Sequence, residues 1–193
     1  MAALLPLATA GAVAVSREFA RVLLVAAALA AQLWLTGLVS VNAARARAFG
    51  KGSGFSQQPN VRAFIEEVHS KSSEPNLKAL PYNAYPDMGS GRFSALLSYD
   101  AWLAFNRAQR VHGNALEMAP TTFVALLAGG LFFPNPAAAA GVAVFVGRAL
   151  YAFGYQAPGF ATVRIAGSLM IDVAILLLIG LAVYGSASAA GLA

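Results

Sequence analysis

Residues Val22 to Ala44 read VLLVAAALAAQLWLTGLVSVNAA, and none of these 23 positions is charged. As a helix rising about 1.5 Å per residue, the stretch is long enough to cross roughly 30 Å of hydrocarbon. It predicts a first membrane helix over about 19–44, in which Gln32 and Asn42 turn toward other helices. The whole chain fits that reading. It is 59% hydrophobic and 11% charged, with a mean hydropathy of +0.65, whereas soluble domains carry about 25% charged residues. The 193 residues therefore describe one integral membrane domain. Cysteine is absent, which excludes a disulfide framework, a cysteine metal site and a cysteine nucleophile. Any thiol chemistry must use a thiol brought in from outside.

Working outward, residues 1–16 are small and apolar and lack the positive n-region of a secretory signal. They read as a membrane-associated extension of the first helix. On the other side, Arg45, Arg47 and Lys51 close the span, and a polar connection over about 45–98 follows. Within it, Val61, Phe64, Ile65 and Val68 repeat at helical spacing and predict a short amphipathic helix over Asn60–Lys71. Three further apolar stretches predict helices over about 99–133, 137–155 and 163–186, separated by the turn signals FPNP and QAPG. The expectation is an all-α, four-helix membrane bundle.

Charge sets the expected orientation. Nine of the 13 Lys and Arg residues lie between Arg45 and Arg110, and Arg148 and Arg164 flank the last turn. The positive-inside rule places both of these connections in the cytosol and both termini across the membrane. The net charge of +5 thus reads as orientation and as affinity for anionic ligands before nucleic acid.

The chemistry concentrates at the same end. Trp102 to Pro120 reads WLAFNRAQRVHGNALEMAP at the entrance of the second span. With Arg110 at zero on a helical wheel, Asn106, Arg107, Asn114 and Glu117 fall at about −40°, 60°, 40° and −20°, while His112 points away at about 200°. A cation, an amide and a carboxylate are therefore aimed one way. Such a set either fixes helix register as a buried polar network or receives a ligand, and ionisable groups at membrane depth favour a ligand. The fork of Arg110 suits a carboxylate and Glu117 suits an ammonium group, so a zwitterionic peptide would satisfy both. Arg148, Tyr151 and Tyr155 form a second stripe. Arg164 opens the last helix, where a cation opposes the helix dipole and gains nothing locally. Asp172, alone in the apolar part of that helix, reads as neutral or as paired with a polar group such as Gln32.

FNRAQRVHGNALEMAP, then GRALYAFGY over Gly147–Tyr155, then an arginine opening the last helix, resembles the superfamily of membrane-associated proteins in eicosanoid and glutathione metabolism. The similarity runs from Leu23 to about Tyr184. Within the superfamily it is nearest to the type 3 microsomal glutathione S-transferases, matched by Phe105, Asn106, Gln109, Arg110, His112, Asn114, Leu116, Glu117 and Pro120. The resemblance implies a homotrimer with glutathione held between neighbouring subunits at the cytosolic end. It implies glutathione contacts from Arg110, Asn114, Glu117, Arg148, Tyr151 and Tyr155, with His112 and one of Arg45 or Arg47 as further contacts. It makes Arg164 the catalytic residue that activates the thiol. No metal is required.

A thiol with a pKa near 8.5 needs about 2.7 kcal/mol of preferential thiolate stabilisation to fall by about two units, which a guanidinium in a partly dry site can supply. The implied activity is a membrane-bound glutathione S-transferase, with glutathione-dependent lipid peroxidase activity beside it. The second substrate would be lipophilic and would arrive through membrane lipid. The endoplasmic reticulum is the expected location, with the mitochondrial outer and plastid membranes as alternatives. The rival reading is a non-catalytic lipid-binding scaffold on the same fold. Two features depart from the family pattern: the connection over 45–98 is long, and Met118 stands where some relatives carry a tyrosine.

Overall fold

A computed structural model describes residues 15–71, 82–157 and 159–192. The extension expected over 1–16 falls almost entirely outside the described residues. Four helices long and apolar enough to cross a membrane make up the body: α1 (Arg17–Phe49), α3 (Tyr99–Phe132), α4 (Pro134–Gln156) and α5 (Ala161–Ala189). A shorter helix, α2 (Pro59–Lys71), lies in the connection. In hydrocarbon every backbone N–H and C=O must find a partner within the protein, and the helix supplies those partners segment by segment.

Local chemistry sets the ends. Ser16 and Ser98 cap α1 and α3, accepting from the amides of Phe19 at 3.1 Å and Ala101 at 3.4 Å. Glu18 and Asp100 sit in the first turns, where a carboxylate complements the positive end of the helix dipole. Phe133 precedes a proline and leaves the helical region (φ −130°, ψ 65°), so α3 stops and Pro134 starts α4 with no intervening loop. Inside α3, Pro120 has no N–H for the carbonyl of Leu116, which loosens the helix where it enters its apolar half. Helix α1 carries a π-helical segment over Thr36–Val41.

Contacts between helices fix an up-down-up-down arrangement. Arg21 donates to Asn135 Oδ1 at 2.8 Å and Gln32 donates to the Phe145 carbonyl at 3.0 Å, so α1 and α4 run parallel. Gly129 and Gly130 of α3 meet Leu178 of α5 and Val22 of α1, while Gly37 of α1 meets His112 of α3. The C-terminal ends of α1 and α4 therefore share a side with the N-terminal ends of α3 and α5. Helices α4 and α5 approach most closely: a methyl group on Gly167 would stand 2.5 Å from the Tyr151 amide nitrogen, and one on Gly147 would stand 3.0 Å from the Gly167 carbonyl oxygen. Lipid tails are as apolar as leucine, so such small-residue contacts, rather than hydrophobic burial, hold membrane helices together. Val22, Leu29, Leu126, Val144, Ile171 and Leu178 fill the interior.

A second core lies at the charged end, where the connection packs on the ends of α1 and α3. Phe49 meets Phe55 and Phe105 edge-on, each at 5.2 Å, with Ala48, Val61 and Ala84 buried around them. Residues 82–97 form a cap over this cluster. Asp87 organises the cap: its carboxylate accepts from the amides of Gly89, Gly91 and Ser94 and from the Ser94 hydroxyl, at 2.6–3.0 Å. Burial pushes the carboxyl upward, but these four donors outweigh it and hold Asp87 below the usual carboxylate range. Helix α3 grips the cap through Trp102 and Asn106, both donating to the Gly89 carbonyl at 3.0 Å, and through Gln109, which donates to the Met88 carbonyl at 3.2 Å.

Candidate functional site at the charged end of the bundle

The stripe on α3 divides between two tasks. Asn106, which helical spacing puts on the same stripe as Arg110, donates to the Gly89 and Trp102 carbonyls, because the cap carbonyls lie within reach of the first turns. Arg110 and Glu117 stay on the open face. They pair with each other across two helical turns at 3.1 Å, with side chains 54% and 57% exposed. An exposed pair of this kind contributes little to stability, so its charges are available to another partner. Asn114, half-buried, lies between them on the same face.

Beside the stripe is a cavity of about 290 Å³ where α3, α4 and α5 converge, lined by Leu103, Arg107, Gly154, Tyr155, Ala157, Gly159, Ala161 and Arg164. Gly154 sets the helix spacing at its edge: any Cβ there would collide with the Arg164 amide, so only glycine lets α5 begin so close to α4. The Arg164 guanidinium stands 5.3 Å from the centre of the Tyr155 ring, in cation–π range, and the Tyr151 and Tyr155 rings are 5.4 Å apart. Tyr151 lies within electrostatic range of Tyr155, Arg110, Arg164 and Glu117. The last helix thus contributes its arginine to the same mouth as the α3 stripe. Arg107, which the wheel places at the edge of the stripe, joins Arg164 at this cavity; its spacing was visible in the sequence, but its partner was not.

The candidates Arg45 or Arg47, His112 and Arg148 do not line this cavity. Arg45 is 1% exposed beneath the cap, donating to the Asn83 carbonyl and the Met88 sulfur, with its guanidinium 3.9 Å from the centre of the Tyr85 ring. Arg47, two residues on and so rotated by about 200°, is exposed. His112 packs against Gly37 on the far side of α3 from the stripe. Arg148 lines the interior of the bundle with Gln32, Thr36 and Tyr151. Of the two readings of Asp172, pairing with Gln32 is not found: Gln32 donates to the Phe145 carbonyl, and Asp172 is exposed on α5. Among the described residues, no three His, Asp or Glu side chains come together as a metal site.

Four apolar helices with cationic, carboxylate and phenolic groups gathered at one end define an all-α integral membrane protein with a polar cluster at that end. The model of the MAPEG family matches residues 22–184. The chain belongs to that family, whose members include glutathione transferases and related enzymes and which uses glutathione.

Proposed function

We propose that this protein is a membrane-bound glutathione S-transferase, closest in type to the type 3 microsomal enzymes, which also reduces lipid hydroperoxides. The observation that carries the proposal is the meeting of Arg164 and Tyr155 at one cavity beside the half-exposed Arg110–Glu117 pair. A zwitterion can insert into that pair without leaving a charge uncompensated: its carboxylate takes Arg110 and its ammonium takes Glu117. The γ-glutamyl end of glutathione carries both groups. Asn114 lies between them to bond either one, and Tyr151 and Tyr155 form the facing wall.

The thiol then lies toward Arg164. The guanidinium stabilises the thiolate, and the thiol proton leaves to solvent through the mouth. In the transferase reaction, the thiolate sulfur bonds to the electrophilic carbon of a lipophilic substrate, which expels its leaving group. In the peroxidase reaction, the thiolate attacks the terminal oxygen of a hydroperoxide and releases an alcohol. A second glutathione thiolate displaces hydroxide from the resulting sulfenic acid, giving the disulfide and water.

The proposed assembly is a homotrimer, in which exposed Arg47 reaches a neighbouring copy's glutathione while Arg45 stays under the cap. Arg148 and His112 stand back from the mouth and support it from within. The mouth faces the cytosol, and the endoplasmic reticulum is the proposed membrane. A glutathione-dependent assay with an aryl halide and a lipid hydroperoxide side by side tests the proposal. Turnover of either supports it, and glutathione binding with turnover of neither would leave the scaffold reading in its place.

A further inference from the structure

Inside the bundle, set back from the mouth, is a chamber of about 160 Å³ between α1, α3 and α4, walled by Leu33, Val111, Ala115 and Ala149 and carrying Gln32, Thr36 and Arg148. Two buried polar atoms on these residues are left over. Among the described residues, nothing accepts from Arg148 Nη2 and nothing donates to Gln32 Oε1. The Gln32 amide is not free to turn, because its Nε2 is committed to the Phe145 carbonyl. Thr36 has committed its hydroxyl proton to the Gln32 carbonyl at 2.7 Å. One lining group is thus a donor without an acceptor and another an acceptor without a donor, and they do not bond each other. That combination calls for something between them.

Charge narrows the choice. Arg148 lies eight residues before the end of α4, about 12 Å into the span, where an uncompensated guanidinium is costly. Asp172 forms no ion pair with it among the described residues and is exposed on α5. Size narrows it further. Ligand pockets begin at about 300 Å³, so the chamber is small for a tripeptide or a lipid, yet it exceeds the roughly 30 Å³ share of one water several times over.

We propose that the chamber binds a small monovalent anion of halide size, which accepts from Arg148, together with a water that donates to Gln32 Oε1. Helix α1 is built for such a site: its π-helical segment begins at Thr36, on the chamber wall, and segments of this kind gather at functional positions. Tyr151 also lines the chamber and lies within electrostatic range of Arg110, Glu117 and Arg164, so the anion would sit one side chain behind the mouth. The proposal stands apart from the glutathione reading and needs no turnover to be tested.

The test is chloride titration of the full-length protein in detergent without glutathione, following the ³⁵Cl NMR line width at constant ionic strength with gluconate. The wild type should show saturable excess broadening. Arg148→Gln, which removes the charge, and Ala152→Leu, which enlarges a side chain on the chamber wall while keeping Arg148, should each weaken it at least about tenfold, which corresponds to about 1.4 kcal/mol. Either variant alone suffices if the other does not fold. Arg110→Gln should retain the broadening although it loses the glutathione grip, which separates the fate of this site from that of the mouth. Absence of saturable broadening, or its survival in a folded Arg148→Gln or Ala152→Leu protein, would overturn the proposal. So would displacement of chloride by stoichiometric glutathione, because Arg148 would then belong to the mouth.

Discussion

The cap and the mouth sit at the same end of the bundle and use the same kinds of residue to opposite effect. In the cap, Asp87 is 7% exposed and accepts four hydrogen bonds, and Arg45 is 1% exposed and boxed between Tyr85 and Phe105. In the mouth, Arg110 and Glu117 are more than half exposed and among the described residues pair with each other, and Arg164 has an aromatic ring for company. Charged groups saturated by their own chain hold structure. Groups left half-solvated and loosely paired remain open to a ligand. Residue type alone would not separate them, since an arginine and a carboxylate stand on both sides.

The sharpest way to break this contrast is Arg164→Ala. Turnover should fall roughly 10²- to 10³-fold with little change in glutathione affinity, because the lost donor acts on the developing thiolate. Stopped-flow ultraviolet measurement of the thiolate checks it, and wild-type turnover would remove Arg164 from the chemistry. Next comes Asp87→Ala. Losing a buried acceptor of four hydrogen bonds should cost on the order of 2–3 kcal/mol of stability, read by unfolding in detergent. The folded fraction should still bind glutathione within about twofold, and a larger loss would mean that cap and mouth are not separable. Glu117→Gln should reverse that pattern, with unfolding unchanged and glutathione affinity weakened about tenfold, roughly 1.4 kcal/mol, in calorimetric titration.

The smallest effect is on pH dependence. Asp87 is held below its ordinary value, so its contribution is complete above about pH 3.8, its value in the unfolded chain, and is lost as pH falls through the lower folded value. Ser94→Ala removes one hydroxyl donor and should move the acid side of the stability curve to higher pH. An unmoved acid limb would count against Asp87 as the organiser of the cap.

The four spans were legible in the sequence because a run such as Val22–Ala44 has only one solvent that suits it. Arg110, Asn114 and Glu117 were legible as a stripe because helical spacing alone puts them together. Asn106 shares that spacing but not that role, because the Gly89 carbonyl that takes it arrives from a loop seventeen residues earlier in the chain. Arg45 and Arg47 could not be told apart by spacing to the next motif. The structure separates them by rotation, one under the cap and one outward. Arg107 and Arg164 meet only through the packing of α3 against α5, which no local pattern records. The leftover atoms of Gln32 and Arg148 are invisible in sequence, since being without a partner is a property of three helices at once.

The seam of Gly147, Gly154 and Gly167 gives this protein an unusual pattern of mutational tolerance. Where side chains such as Leu176, Val124 and Leu24 are exposed on the outside of the bundle, an added methyl group meets no part of the same chain. Where α4 touches α5, backbone meets backbone, and one added methyl group has nowhere to go. Along this line an added methyl group overpacks the contact, as it does in a tightly packed soluble core. Because the α5 residue pressed against Gly154 is Arg164 itself, a single alanine there would displace that arginine without altering any polar group.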